Sequence, residues 1–128
     1  MNEELERTLL SKFPEIFEIT EAVPDDFLWG IHCGDGWVPL ISAMCQQLQL
    51  HVETTGRPQI VAKQIKHKMG ILRCIFAGTD DYSNGVINTV IGMSFVTCEM
   101  CGNKGVLARG SKGWIRVLCD QCRLANPG

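Results

Sequence analysis

The stretch Cys98-Glu-Met-Cys101, followed after seventeen residues by Cys119-Asp-Gln-Cys122, decides how the rest of this chain is interpreted. Two residues between thiols let one tight turn direct both sulfurs at a single ion, and the longer gap lets a second turn complete a tetrahedron. Gly102 follows the first pair and allows the left-handed turn that directs backbone N–H groups at thiolates. The spacing therefore predicts one structural zinc ion with four ligands: Cys98, Cys101, Cys119 and Cys122.

The residues between the two pairs support the same prediction. Gly105-Val-Leu-Ala-Arg109 and Trp114-Ile-Arg-Val-Leu118 are short β-prone runs joined by Gly110-Ser-Lys-Gly113, which is typical of a hairpin. The combination resembles a zinc ribbon, in which the metal substitutes for a core that so small a segment cannot build. Four thiolate ligands leave no open coordination position, so a catalytic zinc is not expected. Zinc ribbons bind nucleic acid, dock on proteins or only stabilise a fold, so the motif does not specify a function.

Disulfides are the alternative for paired cysteines. The N-terminal Met1-Asn-Glu-Glu-Leu-Glu-Arg7 has neither a basic segment nor an apolar segment of the kind that directs export. We therefore expect a cytoplasmic protein with reduced thiols, which favours metal. The remaining cysteines lie in apolar settings and are expected to be buried free thiols: Cys33, Cys45 and Cys74.

Length and composition predict one compact globular body. The chain has 128 residues, 45% of them apolar, and no run approaches the roughly 20 apolar residues of a membrane span. The net charge of −2 hides an asymmetry, because residues 1–35 carry nine acidic and two basic side chains, whereas residues 36–128 carry five and ten. Any basic surface is therefore local.

Hydrophobic periodicity places the predicted elements. Apolar residues at three- and four-residue steps predict helices over 2–12, 37–53 and 83–96. β-Branched runs at 60–65 and 71–76 predict an antiparallel hairpin. Asp35 is predicted to cap the central helix, and the third helix to run directly into Cys98.

These elements give a fold class and a division of the chain. The predicted class is α+β, with amphipathic helices packed on an antiparallel β-hairpin and a C-terminal zinc ribbon. We divide the chain into an acidic N-terminal helix and loop (1–26), an α+β body (27–97) and a zinc ribbon packed on that body (98–128).

Basic residues of two stretches form a candidate binding surface. Those of the first hairpin and its approach, where no acidic residue intervenes, are Arg57, Lys63, Lys66, Lys68 and Arg73. Those of the ribbon, together with its aromatic residue, are Arg109, Lys112, Trp114 and Arg116. Such residues could follow a phosphate backbone, or they could be a solvated face that partly neutralises the acidic N-terminal segment. The tryptophan could contact a partner or close the ribbon onto the third helix.

Two patterns suggest an enzyme, and neither is convincing. His51-Val-Glu53 with the first cysteine pair mimics the motifs of zinc deaminases, but Thr97 replaces the expected proline and the second pair would compete with the histidine for metal. His32, Cys33 and Asp35 contain the residue types of a hydrolytic triad, but adjacent residues rarely face each other for proton transfer.

Several short motifs together suggest a family. Cys33-Gly-Asp-Gly-Trp37 precedes an amphipathic helix, and Lys66-x-Lys-x-Gly-Ile-Leu-Arg73 follows. The cysteine pairs come last, as Cys98-Glu-x-Cys-Gly102 and Leu118-Cys-Asp-x-Cys122, with Gly113-Trp114 between them. Over residues 27–122 this resembles a family of small proteins frequent in phages and prophages, which has no established activity. The resemblance implies a setting in the cytoplasm of a bacterial host.

The sequence thus favours a small non-enzymatic zinc protein that binds a host protein or protein complex, with antagonism of a defence system as one role that a phage setting implies. A nucleic-acid-binding regulator is the second hypothesis, and a zinc-dependent enzyme is the third.

Overall fold

The structure, a computed structural model, describes residues 1–21 and 29–126. Residues 22–26, the end of the predicted acidic N-terminal helix and loop (1–26), lie outside the described residues. The helices are α1 (Glu3–Lys12), α2 (Val38–Thr55), α3 (Asp81–Ser94) and α4 (Asp120–Ala125). The strands are β1 (Val61–Lys68), β2 (Ile71–Ala77), β3 (Val106–Arg109) and β4 (Ile115–Leu118). None of the helices in the described part has the length and apolarity needed to cross a bilayer.

Helix α1 begins at Asn2, whose side-chain oxygen accepts hydrogen bonds from the N–H groups of Glu4 at 2.8 Å and Leu5 at 3.3 Å. Its predicted extent is confirmed. The prediction that Asp35 caps α2 is wrong, because the residue at the cap position is Trp37, without a side-chain cap. Asp35 instead accepts a hydrogen bond from the backbone N–H of Asn2 at 2.7 Å. A 3₁₀ turn leads directly into α2, so backbone groups take the place of a capping side chain.

The first hairpin is antiparallel, as predicted, and pairs Lys66 with Arg73 across the strands. Met69 and Gly70 form its turn, and both have positive φ, at 53° and 85°. A two-residue turn of this kind matches the right-handed twist of the flanking strands. The sequence did not predict that His32 forms a parallel bridge with Lys66, which adds a short extended segment to the other edge of β1.

The hydrophobic core lies between the helices and one face of this hairpin. Helix α3 packs on both α2 and β2. Fully buried side chains come from each layer and include Leu10, Ile16, Trp37, Ile41, Met44, Leu48, Ile60, Ile65 and Leu72. The predicted α+β class, with helices packed on an antiparallel hairpin, is confirmed.

The C-terminal segment forms the second hairpin, in which Val106 pairs with Leu118 and Arg109 with Ile115. Two details differ from the prediction. Helix α3 ends at Ser94 and reaches the first cysteine pair through turn residues, with Thr97 bridged to Lys104. Helix α4 was not predicted, because its six residues are too few to show a periodicity and its N-cap is Cys119.

Candidate metal centre

The structure brings the four predicted cysteine ligands together. The Sγ atoms of Cys98, Cys101, Cys119 and Cys122 all lie within 4.8 Å of one another, and those of Cys101 and Cys119 are 3.6 Å apart. A tetrahedral zinc ion with bonds of about 2.3 Å requires sulfurs roughly 3.8 Å apart, so the arrangement fits the ion. The site can hold a metal ion through four sulfur ligands.

Two tight turns position these sulfurs. In the first knuckle, residues 98–102, Gly102 donates its N–H to the carbonyl oxygen of Cys98 at 2.9 Å and has φ of 83°. Cys98 in turn donates its N–H to the carbonyl oxygen of Asn103 at 2.7 Å. In the second turn, Cys119 Sγ accepts a hydrogen bond from the N–H of Cys122 at 3.4 Å, so this ligand also caps α4. Backbone hydrogen bonds thus shape the first turn, and in the second a backbone N–H donates directly to a sulfur.

The protonation of the cluster is uneven. Burial raises the pKa of Cys98, but hydrogen bonds from the backbone of Cys119, Cys101 and Met100 outweigh it and lower that pKa to about 6. The neighbouring Cys119 thiol raises the pKa of Cys122 to about 12. A metal ion therefore binds in competition with protons, and its affinity rises with pH.

The first knuckle is held against the turn before α2, in the Cys33-Gly-Asp-Gly-Trp37 motif. Gly34 donates its N–H to a carboxylate oxygen of Glu99 at 2.9 Å, and Gly36 donates to the Glu99 carbonyl oxygen at 2.7 Å. Trp37 is fully buried and donates its indole N–H to the carbonyl oxygen of Thr97 at 2.9 Å. A β-carbon at Gly36 would collide with the carbonyl oxygen of Cys98. The motif is therefore the place where the metal-binding segment is fixed to the body, a role that sequence analysis missed.

The buried carboxylate of Glu99 links the turn before α2 to the second hairpin. Glu99 is only 2% exposed, and its second carboxylate oxygen lies 3.5 Å from Nε of Arg116. That separation is long for a hydrogen bond, so the contact is an ion pair. The backbone N–H of Glu99 also donates to the carbonyl oxygen of Val117 at 2.9 Å. Arg116, a predicted surface residue, therefore acts as a partner for a buried acid.

Two more of the predicted surface residues are engaged in internal ion pairs. Arg57 pairs with Asp80 and donates to the carbonyl oxygen of Gly78 at 2.7 Å. Lys63 lies 3.5 Å from Glu18, a contact between the hairpin and the acidic N-terminal segment. The other cationic residues of the predicted binding surface have no ion pair among the described residues: Lys66, Lys68, Arg73, Arg109 and Lys112.

The ribbon tryptophan, Trp114, is half-buried and packs beside Cys98, Leu118 and Cys119. Its ring lies so close to Gly110 that a β-carbon there would collide with it. These contacts place Trp114 within the ribbon, against the metal-binding segment.

The residues of the two enzyme-like patterns lie in other settings. His51 is outside the sulfur cluster; its Nε2 lies 2.8 Å from Oδ2 of Asp80, and its ring stacks on Tyr82 at 4.3 Å. Asp80 is the N-cap of α3 and forms a capping box with Ser83. Cys33 is buried and Asp35 holds the start of α1.

The thiols outside the cluster are Cys33 and Cys45, which are buried, and Cys74, which is half-buried. Desolvation raises the pKa of each to about 12. They are therefore protonated at neutral pH and poor nucleophiles.

Comparison of the chain with protein-family models, with curated proteins and with solved structures finds no match. The resemblance to phage proteins stays a prediction, and the chemistry of the site is argued from its own residues.

Proposed function

We propose that the chain is a small zinc protein that acts by binding a protein of a bacterial host, and that it is not an enzyme. Zinc is the metal that four closely spaced thiolates select, since soft sulfur ligands in tetrahedral geometry suit zinc and leave it no open position. The knuckle that holds the metal also carries Glu99, which receives the N–H groups of Gly34 and Gly36. In this proposal the metal maintains the shape of the binding surface.

The observation that carries the binding role is an open apolar groove of about 400 Å³ beside β2, between the strand and α3. We call it the β2 groove; Ile71, Ile75 and Ile91 line it, and Met69 at its end is 68% exposed. Lys68 and Arg73 also border it, without ion-pair partners among the described residues. Apolar surface bordered by charge is typical of protein-docking sites.

The buried acidic side chains, and the His51–Asp80 pair, are engaged in structural contacts. Glu6 is buried and accepts the N–H of Ile31 at 2.6 Å, Glu99 accepts the N–H of Gly34, and Asp80 joins His51 to the start of α3. These contacts support a binding role over acid–base catalysis. With the phage resemblance, they favour a protein that obstructs a host complex, with a defence system as the target.

A pull-down from host lysate tests this function. The expected result is a stoichiometric protein partner that resists nuclease treatment, together with one tightly bound zinc per chain by metal analysis. Recovery of nucleic acid alone would contradict the protein-binding role. Full metal content in a Cys98→Ser, Cys119→Ser double variant would contradict the assigned ligands.

Nucleic-acid binding is the second candidate, and one observation favours it. His32, Lys66 and Arg73 occupy adjacent positions on three neighbouring extended segments, and so form a basic row across the outer face of the sheet. If this row follows a phosphate backbone, the chain will shift labelled DNA or RNA, and the affinity will fall steeply with salt. A Lys66→Ala, Lys68→Ala variant would then lose the shift.

A further inference from the structure

The β2 groove has a property beyond its apolar lining, because it exposes the unpaired edge of a strand. In an antiparallel pair, the backbone groups of alternate residues point away from the partner strand. Hydrogen bonds between the hairpin and other segments show which residues point outward. On β1, the Ile65 oxygen accepts the N–H of His32 at 3.0 Å, and His67 donates its N–H to the His32 oxygen at 2.9 Å. On β2, Leu72 donates its N–H to Ser94 Oγ at 3.1 Å. Ile65 is paired with Cys74, so the backbone of Cys74 also points outward.

The N–H and C=O of Cys74 are therefore directed into the groove. Ser94 takes the outward N–H of Leu72, but among the described residues no hydrogen bond outside the β-ladder reaches the backbone of Cys74. Unpaired backbone groups on a strand edge are a template for another strand. The groove is thus suited to a segment that brings its own backbone donors and acceptors.

Side chains on the two faces of β2 define what that segment must carry. On the outer face, Arg73 is exposed and Lys68 lies nearby, and no residue of β1 or β2 is acidic. On the inner face, the added strand would lie beside Cys74 and Ile91. Opposite charges in facing positions stabilise neighbouring strands and like charges destabilise them. Acidic side chains are therefore favoured on the outer face and apolar ones on the inner face.

The same charges disfavour a second copy of this chain as the occupant. Pairing of two β2 edges would bring Arg73 of one copy close to Arg73 of the other, with no carboxylate on β1 or β2 to separate them. Basic residues on an edge strand commonly prevent such self-association. The occupant must come from a molecule of opposite charge.

We propose that the free edge of β2 accepts an extended segment of a partner protein as an added strand, and that this segment alternates acidic and apolar side chains. This inference rests on the proposed protein-binding function and names the partner's chemistry at the β2 groove.

The direct test uses a synthetic octapeptide of alternating Glu and Val, measured by fluorescence anisotropy against the zinc-loaded protein at low salt. We expect Arg73→Glu to weaken binding by about tenfold or more, because an attraction becomes a repulsion. The matched control is Lys12→Glu, which makes the same charge change on α1. A peptide of alternating Lys and Val should bind far more weakly than the acidic one.

A third peptide separates strand addition from simple charge attraction. Methylation of the backbone nitrogens that face β2 removes the donors but keeps every side chain, so this peptide should lose most of its affinity. Equal binding of the methylated peptide, an unchanged affinity in Arg73→Glu, or no binding of the acidic peptide would each overturn the inference.

A cross-linking experiment distinguishes failure of this inference from failure of the proposed function. Benzoylphenylalanine in place of Ile75, on the outer face of β2, should attach to the acidic segment of the partner captured from host lysate, and Arg73→Glu should abolish capture. One outcome is that wild type and Arg73→Glu capture the same partner equally and the partner does not cross-link to position 75. The groove assignment is then wrong, although the binding function stands. If wild type captures no protein, the binding function itself is wrong.

Discussion

Gly36 donates its backbone N–H to the carbonyl oxygen of Glu99 at 2.7 Å, and this bond joins the turn before α2 to the first knuckle. The contact requires two backbones to approach so closely that a single β-carbon would not fit. The metal-binding segment is therefore fixed to the body by backbone contact. Two side chains add hydrogen bonds next to it: the indole N–H of Trp37 donates to Thr97, and the carboxylate of Glu99 accepts from Gly34.

Gly36→Ala should separate these two backbones and destabilise the fold by on the order of 3 kcal/mol, since the clash is with main-chain atoms that cannot rotate away. Thermal unfolding of the zinc-loaded protein measures the effect. Gly92→Ala is the matched control, because a β-carbon there meets nothing within 4 Å and alanine favours the helix. That variant should be more stable than wild type by up to about 1 kcal/mol. Equal stability of Gly36→Ala and wild type would refute the role assigned to the contact.

Removal of zinc should unfold the C-terminal segment before the rest of the chain. Among the described residues, the buried apolar side chains of β3, β4 and α4 are Val117 and Leu118, both on β4, so little apolar burial remains to hold these elements once the cysteines are free. Hydrogen exchange after chelation should show loss of protection over residues 98–126, while α2 and β1 keep theirs. Cys74→Ser, which changes a thiol outside the cluster, should retain the metal.

Glu99→Gln should destabilise the protein by about 2–3 kcal/mol, because it leaves the partly buried Arg116 without its counter-charge. Glutamine can still accept the N–H of Gly34, so the loss is specific to the ion pair. A Glu99→Gln, Arg116→Met double variant removes both charges and should recover part of the stability. Chemical denaturation at pH 7 gives the four values of this double-mutant cycle, and strict additivity would show that the pair is not coupled.

The sequence predicted the α+β class and the clustering of the four cysteines because both depend on local patterns: a fixed spacing of thiols, β-branched runs at 60–65 and 71–76, and helical periodicity in α2 and α3. It failed where a residue acts at long range. Asp35 precedes a helix, as a cap should, yet it binds Asn2, thirty-three residues away. Glu99 lies in the first knuckle, yet it accepts hydrogen bonds from Gly34 and Gly36, which are far away in the sequence. Charge alone likewise could not separate Arg57 and Arg116, which pair internally, from Lys68 and Arg73, which border the β2 groove.

Asp80 gives a pH-dependent contribution to stability whose sign can be tested. The hydrogen bond with His51, followed by those from Ser83, holds the pKa of Asp80 well below its usual range. A carboxyl group with a lowered pKa in the folded state stabilises the fold above its unfolded pKa of about 3.9, and this contribution is lost as the pH falls towards the folded pKa.

Asp80→Asn keeps a capping oxygen for the N–H of Ser83 but cannot pair as an anion with His51 or Arg57. The difference in unfolding free energy between wild type and Asp80→Asn should therefore be present at pH 7 and should shrink below about pH 4. Denaturant unfolding of both proteins across this range measures it, and since both have the same four clustered cysteines, loss of any bound metal in acid affects them alike. A difference that stays constant from pH 7 to pH 3 would show that ionised Asp80 contributes nothing beyond its cap.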